Sequence, residues 1–130
     1  EAFCAVLWGK LGYKTYKTPK TGDGGIDVVG LKEKSGVLIQ CKSSTLDGHT
    51  LGWEAVKDVV AGAAAYAIRH PGRTFKKMAV TNQFFNDVAK AQATINHVEL
   101  IDRDGLINML ANKPLTRGDL ENFLFSTWDD

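Results

Sequence analysis

Apolar and polar positions divide the chain into segments with two different periods. From Glu1 to Leu11 (EAFCAVLWGKL), Phe3, Val6, Leu7 and Leu11 recur at helical spacing and Gly12 follows as a terminator, which predicts an amphipathic helix. Tyr13 to Thr18 (YKTYKT) interleaves aromatic, Lys and Thr side chains, the pattern of a short edge strand, and Pro19 ends it. Gly25 to Leu31 (GIDVVGL) and Gly36 to Lys42 (GVLIQCK) are rich in Val and Ile and predict two strands joined by the charged turn Lys32 to Ser35. The period then lengthens. Trp53 to His70 reads as a long helix with small residues from Ala61 to Ala67 for close packing, stopped by Pro71-Gly72. Phe75 to Thr81 (FKKMAVT) predicts a strand whose Met78, Ala79 and Val80 are buried on both sides. Asn86 to Ile95 is a helix with a good cap and an acidic first turn, Val98 to Ile101 a short strand, and Asp102 or Asp104 caps a last helix through Leu110.

The order helix, strand, hairpin, helix, strand, helix, strand, helix predicts an α/β fold. Its first half pairs antiparallel and its second half supplies helix-linked parallel strands, so the expected architecture is a mixed sheet flanked by helices, with right-handed crossovers. Residues 1–112 form the expected domain. Residues 113–130 read as a C-terminal extension or a connection to a following domain, although Phe123, Phe125 and Trp128 are too apolar for a free linker.

The hairpin carries the chemistry. Pairing Leu31 with Gly36 places Val29 across from Leu38 and Asp27 across from Gln40, with Lys42 diagonal on the same face. Val37, Ile39 and Cys41 then share the opposite face with Ile26 and Val28. A carboxylate, an amide and an amine thus converge inside an otherwise apolar hairpin. Asp27 and the Gln40 side-chain oxygen, with the Cys41 backbone carbonyl, suit Mg²⁺, which takes oxygen ligands, keeps waters and is completed by substrate phosphate. An ammonium such as Lys42 beside them fits phosphodiester hydrolysis.

Composition changes this picture little. The 130 residues are 44% hydrophobic and 24% charged, a globular balance, and the net charge of +1 is too mild to announce nucleic-acid binding. Cys4 and Cys41 lack metal-ligand spacing and read as buried free thiols. The loop Thr21 to Gly25 (TGDGG) is followed by a strand and matches no phosphate-cradle motif. Its glycines suit a tight turn beside Asp27, and Ser43 to Thr50 suits a loop that contacts substrate. Lys14, Lys17 and Lys20, and separately Arg69, Arg73, Lys76 and Lys77, form basic groups that either are solvated or contact phosphates. His49, His70 and His97 are scattered and read as surface or capping residues, with His49 close enough to Lys42 in sequence to touch DNA. Trp8 reads as core, and Trp53 as core or a nucleic-acid contact. With no initiator Met, no apolar run of spanning length and no secretory signal, a cytoplasmic domain excised from a longer protein is expected.

Asp27 followed by Gln40-Cys41-Lys42 resembles the D…QxK variant of the PD-(D/E)XK nuclease superfamily, specifically the Mrr-type restriction endonuclease domain. Leu11 to Tyr13 (LGY), Gly22 to Asp27 (GDGGID), Ala79 to Phe85 (AVTNQFF) and Val98 to Leu106 (VELIDRDGL) follow in the family's order, over about the first 110 residues. The resemblance implies a restriction-endonuclease-like fold with the site on the hairpin. It also implies a DNA endonuclease using Mg²⁺, for which Mn²⁺ can substitute. Asp27 and Gln40 are then metal ligands, Lys42 the catalytic lysine, and Glu1 the helix glutamate of the site. Expected partners are double-stranded DNA, further domains of a prokaryotic restriction or phage-defence protein, and a second copy for double-strand cleavage; no membrane is expected. A Holliday-junction resolvase and a non-cutting DNA-binding module are the rival readings.

Overall fold

The computed structural model describes residues 2–18, 26–43, 50–119 and 121. The elements are α1 (Ala2–Lys10), β1 (Lys14–Lys17), β2 (Val28–Lys32), β3 (Ser35–Lys42), β4 (Thr50–Leu51), a 3₁₀ turn (Trp53–Ala55), α2 (Lys57–Arg69), β5 (Thr74–Thr81), β6 (Phe84–Phe85), α3 (Asp87–Ile95), β7 (Val98–Ile101) and α4 (Arg103–Asn112). Five strands form one sheet in the order β1-β2-β3-β5-β7. Pairing is antiparallel from β1 to β3 and parallel from β3 through β5 to β7, the mixed α/β sheet that the element order predicts. The short β4 and β6 pair in parallel beside it and were not legible as strands, since two residues are too few to show a period.

Alternation along the central strands divides the core into two layers. Val29, Leu38 and Ala79 meet Val56 just before α2, Val59 and Tyr66 of α2, and Ala89 and Ala93 of α3. Val28, Val37, Ile39, Met78 and Val80 meet Cys4, Leu7 and Trp8 of α1, with Leu106, Met109 and Leu110 of α4 at the margin. Met78, Ala79 and Val80 are all buried, as expected of a strand covered on both faces. Helix α1 departs from the one-sided pattern expected of it, because Cys4 to Trp8 are buried without a break. The sheet covers one side. There the Thr15 hydroxyl of β1 donates to the Ala5 carbonyl at 2.7 Å; Leu106, Met109, Leu110 and Leu115 share the same core cluster, and Lys10 pairs with Asp119 at 2.9 Å.

Local signals place the boundaries. Gly12, at φ 100, ends α1 in a backbone conformation that disfavours a side chain. The Asn86 side chain accepts from the Ala89 N–H at 2.9 Å, and the Asp102 side chain from the Gly105 N–H at 3.0 Å, so Asp102 rather than Asp104 caps α4. Beyond α4, Thr116 and Asp119 cap each other's N–H groups at 2.8 and 3.1 Å. The Thr116 N–H, and then Lys10, hold the Asp119 carboxyl below its ordinary value. Because the folded pKa is depressed, this contact's contribution is present above the unfolded value and is lost as pH falls through the folded one. Leu115 packs on the α1 side of the core, so the chain folds back past residue 112. Phe123, Phe125 and Trp128 lie outside the described residues.

The hairpin register is the expected one, Leu31↔Gly36 and Val29↔Leu38, closed by Glu33 and Lys34 between the paired Lys32 and Ser35. Gly36 is needed for close approach. A Cβ there would lie 2.8 Å from the Gly30 carbonyl oxygen and 2.7 Å from the Phe75 ring. Gly36→Ala should therefore destabilise the fold by about 1–3 kcal/mol. Urea unfolding would measure this, and an unchanged midpoint would show that the two strands separate freely at that point.

Candidate active site

Asp27 stands just before β2, where the ladder ends at Val28↔Ile39. The expected pairing of Asp27 with Gln40 does not continue that ladder. The Asp27 N–H donates to the Ile39 carbonyl at 2.8 Å, its carbonyl accepts from the Thr18 N–H at 3.0 Å, and its Oδ2 accepts from the Cys41 N–H at 2.7 Å. The alternation changes here. Ile26, expected beside Val28 and Ile39, lies instead with Val29 and Leu38 in the α2 and α3 layer, a local irregularity of the β-bulge kind. The Thr18 hydroxyl donates to the Ile26 carbonyl. The consequence for chemistry is that a carboxylate takes the place of a backbone acceptor opposite Cys41.

Gln40 and Lys42 project from the same side of β3 by strand alternation, but to different ends. Gln40 is 1% exposed. Its Oε1 accepts from the Val59 N–H at 2.9 Å and its Nε2 donates to the Glu54 carbonyl at 3.3 Å. Lys42 is exposed at the last position of β3, in register with Thr81 at the end of β5. Between them Cys41 faces α1. A hydrogen bond with Cys4, and burial, push the Cys41 thiol well above its ordinary value, so it remains protonated. Neither cysteine is in a disulfide, as expected; Cys4 is buried, but Cys41 is only half-buried. Glu1, the Thr21 to Gly25 loop, Lys20 and His49 lie outside the described residues.

A cavity of about 420 Å³ opens at this end of the sheet, with Phe3, Cys4, Cys41, Val80 and Leu106 forming an apolar floor and Lys42, Ser43, Thr81 and Asn82 a polar rim. Thr81 and Asn82 carried no assigned role in the sequence, although the AVTNQFF segment that contains them was singled out. Arg103 braces the rim: its Nε donates to the Asn82 carbonyl at 2.9 Å, its Nη2 to Gln83 Oε1 at 3.0 Å, and its guanidinium lies 5.6 Å from the Phe84 ring centre. The second basic group is elsewhere. Arg73 donates to the Ser35 carbonyl at 3.3 Å, and Ser35 pairs with Thr74 at the opposite end of β3 and β5, roughly 23 Å from Lys42 at the usual rise of an extended strand. His70 stacks near Tyr66 at 6.2 Å at that same far end, and His97 ends α3 at φ 57, both structural positions.

Among the described residues no group of three or more His, Cys, Asp and Glu side chains is placed to hold a metal ion. A cation caged entirely by protein is therefore not what these residues fit. They do fit a hard cation completed by water and phosphate oxygens. In an extended strand the N–H and C=O of one residue leave on the same edge, so the Cys41 carbonyl faces the side from which Asp27 receives the Cys41 N–H. One carboxylate and one carbonyl oxygen thus border the same edge, next to Lys42.

The chain is similar to the crystal structure of a protein of unknown function, AF1548, with a TM-score of 0.72 at 19% identity over 95% of this chain and 74% of that one. It is also similar to the MspJI restriction endonuclease in complex with a 27-mer oligonucleotide, with a TM-score of 0.61 at 22% identity. That match covers 99% of this chain and 32% of the MspJI chain, so this chain spans about a third of its length. At these identities the two likenesses establish the fold. No curated protein matches the chain. The family model Mrr_cat, described as restriction endonuclease, matches residues 1–110, and the chain belongs to that restriction endonuclease family.

Proposed function

We propose that the chain is a divalent-cation-dependent endonuclease domain that hydrolyses DNA phosphodiester bonds, with Mg²⁺ as its ion and Mn²⁺ as a substitute. The observation that carries this reading is the Asp27 carboxylate held 2.7 Å from the Cys41 N–H at the open end of the central strand, one residue from the exposed Lys42. Asp27 and the Cys41 carbonyl would hold the cation, with Glu1 as a further ligand. The bound cation supplies positive charge against a phosphoryl oxygen during in-line displacement. Lys42 donates hydrogen bonds to the reacting phosphate and offsets the charge that develops on it.

The remaining context follows from charge and size. A net charge of +1 leaves little electrostatic attraction for a polyanion. Other domains of a longer prokaryotic restriction or phage-defence protein therefore supply most of the DNA affinity and the sequence or methylation recognition. We place that protein in the cytoplasm, where such DNA is met; no helix among the described residues is long and apolar enough to cross a membrane. One site cuts one strand, so a double-strand break takes two copies. Supercoiled plasmid incubated with Mg²⁺ and the longer protein, whose other domains supply the DNA affinity, should be nicked, nicking should stop in EDTA, and it should resume when Mg²⁺ is restored. No cleavage with either Mg²⁺ or Mn²⁺ would overturn the nuclease reading, and cleavage undiminished by EDTA would overturn its metal dependence.

A further inference from the structure

We propose that Gln40 is a positioning residue that docks the start of α2 onto the central strand, and that it is not a metal ligand. The helix begins without a cap of its own: its N-cap is Val56, which makes no side-chain cap hydrogen bond. The first N–H groups of any helix have no partner within it. Val59 is the third residue of α2, and its N–H is satisfied from outside by Gln40 Oε1 at 2.9 Å. The other end of the same amide donates to the Glu54 carbonyl at 3.3 Å, in the 3₁₀ turn that precedes the helix. One side chain thus ties both sides of the junction between the 3₁₀ turn and α2 to β3.

The residue type follows from that pair of contacts. One acceptor and one donor at the tip of a two-methylene side chain describe glutamine or a glutamic acid held neutral, and of the two only glutamine keeps both without having to hold a proton. An ionised glutamate would keep the Val59 contact but would set a carboxylate oxygen against the Glu54 carbonyl oxygen, in a place that is 1% exposed. The same burial disqualifies Oε1 as a ligand. Mg²⁺ retains several waters, and an oxygen already bonded to a helix N–H and closed off from solvent has no room for a hydrated ion. The consequence for the site is indirect. Lys42 lies two residues beyond Gln40 on the same strand, so whatever holds the 54–59 segment to β3 also steadies the strand end that presents Lys42.

The reading of Lys42 and Asp27 as nuclease residues sets the value of this docking for catalysis, while the docking itself is tested without any activity. Gln40→Glu and Gln40→Met should each lower the thermal midpoint of the chain in EDTA by about 5 °C or more. By hydrogen exchange, the Val59 amide should exchange at least tenfold faster in Gln40→Met, measured at a temperature where the variant is folded. Manganese binding followed by electron paramagnetic resonance should change less than threefold in Gln40→Met and be lost in Asp27→Asn. Tenfold tighter Mn²⁺ binding by Gln40→Glu at an unchanged midpoint, or loss of Mn²⁺ binding by Gln40→Met with the Val59 amide still protected, would overturn the proposal. Should either variant fail to fold, Gln40→Asn, whose shorter amide reaches only one partner, takes its place with the same readouts. A wild-type chain that binds no Mn²⁺ would instead sink the metal reading and leave the midpoint and exchange results to decide the docking.

Discussion

Lys42→Ala is expected to lower plasmid nicking by about 100- to 1,000-fold, the usual loss when one group that stabilises transition-state charge is removed. The unfolding free energy should move by no more than about 0.5 kcal/mol, because Lys42 is exposed at the end of its strand. Asp27 behaves differently because its carboxylate serves two ends. Asp27→Ala removes the acceptor of the Cys41 N–H and should cost about 1–3 kcal/mol in addition to activity. Asp27→Asn retains an amide oxygen for that N–H, so it should keep the stability and lose the cleavage. Nicking assays paired with urea unfolding separate these outcomes. Activity retained by both Lys42→Ala and Asp27→Asn would remove the proposed site.

The second large effect is on the fold. Trp8 is 2% exposed and packs with Val28, Val37 and Ile39, where α1 meets the hairpin that carries the site. Trp8→Ala should cost about 3–5 kcal/mol, a large share of the roughly 5–15 kcal/mol that stabilises a domain. Activity should fall with it, since Phe3 and Cys4 on the same helix form part of the cavity floor beside Lys42. Calorimetric unfolding measures the first loss. A midpoint within a degree or two of wild type would mean that α1 is held mainly by its contacts with β1 and Asp119.

The contrast between the two basic groups shows why distribution outweighs total charge. Arg69 and Arg73 are separated from Lys42 by the length of β3 and β5, although in sequence they stand between two segments that border the site. A phosphate contact there would belong to DNA passing the opposite end of the sheet. The rim residues near Lys42 are mostly neutral, Ser43, Thr81 and Asn82, with Arg103 bracing them from the first turn of α4.

Much of this protein was legible because the signals are local. Runs rich in Val and Ile marked the strands, the charged tetrapeptide Lys32 to Ser35 set the hairpin register, and Asn86 and Asp102 marked helix starts through bonds three residues long. Those quantities depend on neighbours along the chain, where backbone geometry leaves few choices. Asp27, Gln40 and Lys42 are grouped on the hairpin by their spacing and by the family order. Their partners were not legible along the chain. Ile26 changes layers because the Asp27 N–H turns to Ile39, and the Gln40 amide meets Glu54 and Val59, 14 and 19 positions away. Helix α1 is buried on more than its periodic face because the sheet and the later residues Leu106, Met109, Leu110 and Leu115 share its core cluster. The residue pattern alone specified the five strands of the main sheet and most of the helices, but not β4, β6 or the 3₁₀ turn before α2, and it put a carboxylate, an amide and an amine on one hairpin. Only the tertiary structure decided that the amide is spent on holding a helix while the carboxylate stays at the strand end, because a polar group's role depends on which donors and acceptors the crossover brings within 3 Å or so of it.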